Sequence, residues 1–116
     1  MIDITSKVTG LAAKSKIKDG ICLVYCPHTT AGITINEGAD PDVRHDIITE
    51  LNKLVPFSGN YQHAEGNSAA HIKSSIIGAS VNIIISNGAL LLGTWQSVYF
   101  CEFDGPRSRK VQVKII

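Results

Sequence analysis

Residues 21–54 read ICLVYCPHTTAGITINEGADPDVRHDIITELNKL, and this stretch decides the fold. Ile21–Cys26 is apolar and β-favouring and ends before Pro27, which predicts a central strand. Alternation of apolar and polar residues over 31–36 predicts a second strand. Asp40-Pro41-Asp42 is typical of a helix start, because an aspartate can cap, a proline fits the first turn and another aspartate complements the positive helix end. The apolar stripe of that helix stops before Pro56 and consists of Val43, Ile47, Ile48, Leu51 and Leu54.

The flanking segments complete an α+β fold, a mostly antiparallel β-sheet packed with two to three helices. Residues 4–17 predict a first helix, with Asp3 available as its cap. Asn67 is predicted to cap a third helix that runs through Ile77, with Ser68, His71, Lys73 and Ser74 partly exposed. Strands are predicted over 81–86, 89–94, 96–103 and 110–116, with a tight turn at Asn87-Gly88. Apolar triplets at 83–85 and 90–92 require cover on both strand faces, which subunit packing could provide.

Composition narrows the class of protein. A chain of 116 residues with 44% hydrophobic and 18% charged residues predicts a single folded domain over 1–116. No apolar run approaches the roughly 20 residues that cross a bilayer. A net charge of +1 gives no indication of a nucleic-acid or membrane partner. No secretion signal is recognisable, so a cytoplasmic location is expected, with Cys22, Cys26 and Cys101 as buried thiols.

Two histidine-bearing stretches, residues 26–32 and 63–71, indicate the chemistry. They contain three of the four histidines in short segments interrupted by glycine. A neutral imidazole binds transition metals, and it also moves protons near neutral pH. The spacing of His63 and His71 is by itself a weak metal signal, but Glu65 and Asn67 beside them strengthen the functional interpretation. His45 lies among ordinary charged neighbours on the second helix and is predicted to be solvated.

Several other residues leave two interpretations open. Asp40 and Asp42 can cap a helix or hold a hard cation through water. Glu37 has no evident capping role, so a functional role is the favoured interpretation for it. Trp95, the only tryptophan, can stack on an aromatic ligand or pack in the core. Arg107 stands in a turn where it can bind phosphate or simply be solvated.

These motifs, in this order along nearly the whole chain, resemble the YjbQ family, described as secondary thiamine-phosphate synthases. The resemblance implies a compact homotrimer of α+β subunits, with sites near the subunit boundaries and a histidine-rich metal position. His28, His63 and His71 would be the ligands of zinc or a similar divalent metal. Relatives usually begin with an additional β segment before the first helix, so the start of this chain is expected to leave a sheet edge exposed.

The activity implied by the resemblance joins a hydroxymethylpyrimidine diphosphate to a thiazole phosphate and releases diphosphate, in addition to another main role. The partner would therefore be a small phosphorylated metabolite, and magnesium is a possible second cation near the carboxylates. The catalytic residues would be Glu65, Glu37 and Arg107. The substrate-binding residues would be Thr29, Asn36, Asp40, Asp42, Asn67, Lys73, Trp95 and Gln96.

Two alternatives stay open from the same residues. The first alternative to the transferase is a metal-dependent hydrolase, in which a three-histidine metal activates water and Glu65 moves the proton. The second is a trimer that binds a metal or metabolite without catalysis.

Overall fold

The computed structural model describes all 116 residues, which form three helices and seven strands. The strands are β1 (Ile2–Asp3), β2 (Gly20–Tyr25), β3 (Ala31–Glu37), β4 (Ser80–Ser86), β5 (Ala89–Leu90), β6 (Gln96–Glu102) and β7 (Gln112–Ile115), and the helices are α1 (Thr5–Ser15), α2 (Pro41–Leu54) and α3 (Ser68–Ile77). Every strand pair is antiparallel. The predicted α+β class with three helices is therefore confirmed.

The strands form two sheets rather than the single sheet that was predicted. One has the order β1-β6-β3 and the other the order β5-β4-β2-β7, and together they curl into a half-barrel. The sheets meet where the Ile33 N–H donates to the Gly78 carbonyl over 3.0 Å. Gly32 permits this approach, because a Cβ atom there would lie 2.7 Å from the Gly78 oxygen. Pairing between distant segments decides this division, and hydrophobic periodicity carries no information about it.

The second helix begins and ends as predicted. Asp40 Oδ1 accepts a hydrogen bond of 2.9 Å from the Asp42 N–H, and Pro41 occupies the first turn. The first helix begins at Thr5, whose N–H donates to Asp3 Oδ1 over 2.9 Å. The third helix begins after Asn67, but the Asn67 side chain makes no capping bond, so that part of the prediction is wrong.

The strand predictions are correct in order but too long at the C-terminal side. The predicted strand 89–94 shortens to the two residues of β5, and the last strand occupies only β7. Ahead of α1 the two-residue β1 pairs with β6, where the sequence suggested no strand. Ile83 and Ile85 are buried while Ile84 is exposed, so β4 has only one covered face within the chain.

The core lies between α1 and the inner faces of the two sheets. It includes two of the three cysteines, and all three are buried free thiols as predicted. Burial raises the pKa of the Cys101 thiol to about 11. None of the helices has the length and apolar character needed to cross a membrane. The twelve buried core residues are Ile4, Val8, Ala12, Cys22, Val24, Cys26, Ala31, Ile33, Ile83, Ile85, Val98 and Phe100.

Candidate functional site

Strand β3 separates the predicted site residues into two groups at its two ends. The group at its start, called here the histidine end, contains His28, Thr29, His63, Glu65, Asn67, His71 and Arg107. The group at its finish, called here the acidic end, contains Asn36, Glu37, Asp40, Asp42, Trp95 and Gln96. Since β3 has seven residues, about 20 Å of strand lies between the two ends. The structure therefore does not assemble all the predicted residues into one site.

A buried ion pair fixes the loop that follows β6 at the histidine end. Arg109 donates to Glu102 through two bonds, Nε to Oε1 at 2.7 Å and Nη2 to Oε2 at 2.6 Å. Arg109 Nη2 also donates to Thr30 Oγ1 over 2.7 Å. The side chains of Arg109 and Glu102 are only 10% and 20% exposed. The hydrogen bonds from Arg109 hold the pKa of Glu102 below its ordinary value. Neither residue was singled out from the sequence, although the run of charges over 102–110 was a usable signal.

His28 holds the same loop. Its Nε2 accepts a hydrogen bond of 2.9 Å from the backbone N–H of Lys110. An accepting Nε2 places the ring proton of the neutral imidazole on Nδ1. Neither ring nitrogen is then available to a metal unless this bond is broken.

Asp104 connects the loop to the start of α3. Its Oδ2 accepts hydrogen bonds from Arg107 Nη2 at 3.0 Å and from Asn67 Nδ2 at 2.9 Å. The orientation of the Asn67 amide leaves its Oδ1 buried without a hydrogen-bond partner. A buried acceptor without a donor is costly, and Asn67 lies in the chain between Gly66 and Ser68, which line a cavity.

The positive end of α3 is also without partners. No carboxylate lies in its first turn, no side chain caps it, and the N–H groups of Ser68 and Ala69 make no hydrogen bond. Ser68 lines a cavity of about 400 Å³ and an adjoining one of about 240 Å³. Free N–H groups at a helix start are typical of anion sites. The larger cavity is lined by Asn60, Tyr61, Gln62, His63, Ser68, His71 and Ile72.

Two of the three predicted histidine ligands lie together in this cavity. The rings of His63 and His71 are 5.5 Å apart between centroids and meet edge to face at 89°. The turn through Gly66, with φ of 77°, brings them together, and Glu65 Oε2 lies 3.6 Å from His63 Nε2. An imidazole pair with a carboxylate beside it can hold and move a proton.

The predicted three-histidine metal site is not assembled within one chain. No group of three or more His, Cys, Asp or Glu side chains is placed to hold a metal ion. His28 is engaged with the 102–110 loop, so His63 and His71 supply only two imidazoles. The zinc-type site implied by the resemblance therefore does not fit the residues of a single subunit.

The acidic end is a turn in which side chains bind local backbone groups. Asn36 Oδ1 accepts from the Glu37 N–H at 2.8 Å, and Glu37 Oε1 accepts from the Asp40 N–H at 3.3 Å. Glu37 thus has a local capping role that the sequence did not reveal. Trp95 is 64% exposed, so the alternative that it packs in the core is wrong. The Gln96 side chain also binds a local backbone group, because its Oε1 accepts a hydrogen bond from the Gly93 N–H at 2.8 Å.

Lys73 differs from its prediction of partial exposure. It is 8% exposed and its Nζ donates to Asn52 Oδ1 over 2.5 Å, which joins α3 to the last turn of α2. Loss of hydration lowers the pKa of this lysine. Ser74 is also buried, and its Oγ donates to the Ala31 carbonyl at 2.8 Å, which anchors α3 at the start of β3.

Comparison with known proteins assigns the chain to a family. The model of a family described as UPF0047 protein YjbQ-like matches residues 1–116. The chain belongs to the YjbQ family. Among its YjbQ relatives, UPF0047 protein MJ1081 of Methanocaldococcus jannaschii is 59% identical over 116 residues, which are 100% of this chain and 84% of that protein. UPF0047 protein YugU of Bacillus subtilis is 53% identical, over 100% of this chain and 89% of that protein.

A solved YjbQ structure has the same fold. The crystal structure of a YjbQ/UPF0047 family protein from Clostridium acetobutylicum superposes with a TM-score of 0.98 at 62% identity, covering 99% of this chain and 89% of that chain. The YjbQ resemblance read from the histidine, aspartate and tryptophan motifs is thereby confirmed.

Proposed function

We propose that this YjbQ protein is a transferase that joins hydroxymethylpyrimidine diphosphate to thiazole phosphate and releases diphosphate, as a secondary activity. The observation that carries the proposal is the uncapped start of α3, which opens into a cavity beside His63 and His71. Its free N–H groups suit the oxygens of a phosphate, and Arg107 lies at the same end of the molecule.

The buried Oδ1 of Asn67 supports a substrate that also carries a donor. An amino group on a pyrimidine ring or a hydroxyl group would complete this acceptor, whereas bare phosphate would not. Asp104 fixes the amide so that Oδ1 cannot exchange places with Nδ2 without losing its bond. Asn67 is therefore proposed to orient the substrate, with Glu65 and His63 handling a proton.

Assembly is part of the proposal. Several large apolar side chains are exposed in the single chain, and the homotrimer implied by the resemblance would cover some of them. Sedimentation of the purified protein is expected to give three times the mass of the chain. The exposed set includes Leu54, Phe57, Ile72, Ile76, Ile84, Leu91 and Trp95.

The test is the formation of thiamine phosphate from the two substrates, measured with added Mg²⁺ and, separately, with added Zn²⁺. Asn67→Ala is expected to lower the rate about tenfold, because it removes one hydrogen bond worth about 1.4 kcal/mol. Asn82→Ala, on the exposed face of β4, is the matched control and should match the wild type. Absence of product from the wild-type trimer would refute the transferase, and an Asn67→Ala rate equal to wild type would refute the role of Asn67.

The second candidate function is hydrolysis of a phosphate or amide substrate, and the contact of Glu65 with His63 favours it. Release of phosphate from the diphosphate substrate alone, without thiazole phosphate, would identify it. Glu65→Gln should then abolish phosphate release while Glu50→Gln leaves it unchanged.

A further inference from the structure

We propose that the groove between α1 and β7 binds an extended acidic peptide segment of another protein, which adds to the free edge of β7 as a further strand. This groove, called here the β7 groove, consists of two adjoining cavities of about 360 and 280 Å³. Ile4, Lys7, Arg109 and Val111 line both cavities. The proposal goes beyond the transferase and does not depend on it.

Strand β7 lies at the end of its sheet and has a partner on one side only. That partner is β2, and no other strand pairs with β7. Ile116 and Ile21 exchange two backbone hydrogen bonds, of 3.0 and 2.7 Å. Because such exchanges alternate along an antiparallel pair, the N–H and C=O groups of Val113 and Ile115 point away from β2. The free edge of β7 therefore presents unpaired backbone groups to an incoming strand.

The opposite rim of the β7 groove is a second free edge. Strand β1 lies at the end of the other sheet and pairs only with β6. Side chains from both rims line the larger cavity, with Ile2 on the β1 side and Val111 on the β7 side. The half-barrel is therefore open between β1 and β7, and a strand bound in this opening would extend the sheet of β7 towards β1.

The wall of the β7 groove is apolar and exposed in the single chain. Ile2, Leu11 and Val111 line the groove, and they are 55%, 46% and 36% exposed. A strand paired with β7 would place every second side chain on the same face as Val113, against this wall. Removing this apolar surface from water would stabilise the complex. The occupant therefore carries apolar residues at alternate positions.

The charge around β7 favours acidic residues at the other positions of the occupant. Residues 107–114 contain four basic side chains and no acidic one. Lys114 is exposed and lies on the opposite face of β7 from Val113. Opposite charges attract across a strand pair and like charges repel, so an acidic side chain fits opposite Lys114. The same repulsion opposes pairing between the β7 edges of two copies, so the occupant is an acidic segment of another protein.

The test measures amide hydrogen exchange in the full chain by NMR and needs no enzymatic activity. The probe is a capped peptide of about seven residues in which valine alternates with glutamate. At a peptide concentration about ten times the Kd, exchange at the Val113 and Ile115 amides should slow about tenfold. The Lys114 amide faces β2 and should exchange at an unchanged rate. Equal exchange at Val113 and Ile115 with and without the peptide would overturn the proposal.

Two control peptides separate strand addition from other kinds of binding. N-methylation of the valines removes the donors that would face β7 and keeps every side chain, so this peptide should give no protection. If it binds as tightly as the parent peptide, strand addition is wrong. A peptide with lysine in place of glutamate should bind more weakly, and equal binding would refute the role of charge. Protection of Val113 and Ile115 that rises with protein concentration, without any peptide, would identify a second copy as the occupant and overturn the proposal.

Variants of the protein test the edge and the charge separately. Val113→Pro removes an N–H that points to the free edge and keeps the bonds to β2, so the variant should fold and lose peptide binding. Lys114→Glu should weaken binding about threefold or more, because an attraction becomes a repulsion. Lys53→Glu makes the same change on α2 and should leave the Kd unchanged. A wild-type Kd in Val113→Pro would refute strand addition, and equal Kd values for the two lysine variants would refute charge selection at β7.

Discussion

Replacing Glu102 by glutamine tests whether the ion pair with Arg109 holds the histidine end in place. Both side chains are at least four-fifths buried, and two hydrogen bonds of 2.7 and 2.6 Å join them. Glutamine keeps the volume but offers only one acceptor and no charge. Breaking one side of a buried pair costs about 3–5 kcal/mol, and the retained acceptor places Glu102→Gln at the lower bound, about 3 kcal/mol.

Urea denaturation at a fixed protein concentration measures this effect. With a slope of about 2 kcal/mol per molar urea, the midpoint of Glu102→Gln should fall by about 1.5 M. Glu50→Gln makes the same chemical change in the Lys53–Glu50 pair, whose side chains are 66% and 63% exposed. That control should lose at most about 0.5 kcal/mol. Equal midpoints for the two variants would refute the reasoning.

The pH dependence of the unfolding free energy tests whether the charge of Glu102 is what stabilises the loop. Because the folded-state pKa of Glu102 is depressed, the stabilisation is fully present above the unfolded value of about 4.3 and is lost as pH falls through the folded pKa. The gap in unfolding free energy between wild type and Glu102→Gln should therefore be constant near neutral pH and shrink below about pH 4. A gap that stays constant on acidification would show that the Glu102 charge is not what stabilises the loop.

Two further predictions concern single contacts. Lys73→Met should raise the urea midpoint, because Lys73 is a buried charge whose only partner is the neutral amide of Asn52. The lowered folded pKa means that wild-type stability rises as pH increases from that pKa towards about 10.4, and Lys73→Met should lack this rise; an unchanged slope would contradict burial of the charge. His28→Ala should speed hydrogen exchange at the Lys110 amide about tenfold, since it removes that amide's only hydrogen bond, while His45→Ala should leave the exchange rate unchanged.

The sequence predicts α2 well because its signals are local. Asp40, Pro41 and the apolar stripe lie within one continuous segment, and the cap bond forms between residues two apart. The division into two sheets depends on pairs such as Ala31 with Glu102, which are far apart in the chain. Alternation of side chains shows that a segment is a strand but not which strand it joins.

The contacts of the histidines differ in the same way, because one is local in the chain and the other is distant. His63 and His71 are joined by one short turn through Gly66, so their approach follows from nearby residues. His28 lies beside Lys110, which is 82 residues later in the chain, and no spacing rule relates the two. Composition indicated histidine as the residue type of the site, but the partner of the His28 ring is a property of the tertiary fold.

The position of His28 also changes how the site is understood. By accepting the Lys110 N–H, it ties down the loop in which Arg109 holds Glu102 and Arg107 holds Asp104. Asp104 in turn fixes the amide that leaves an acceptor free at the start of α3. A histidine in this role acts on the site through positioning, and the imidazoles facing the cavity are only two. Two imidazoles with one carboxylate beside them suit proton transfer better than they suit the binding of a transition metal within one chain.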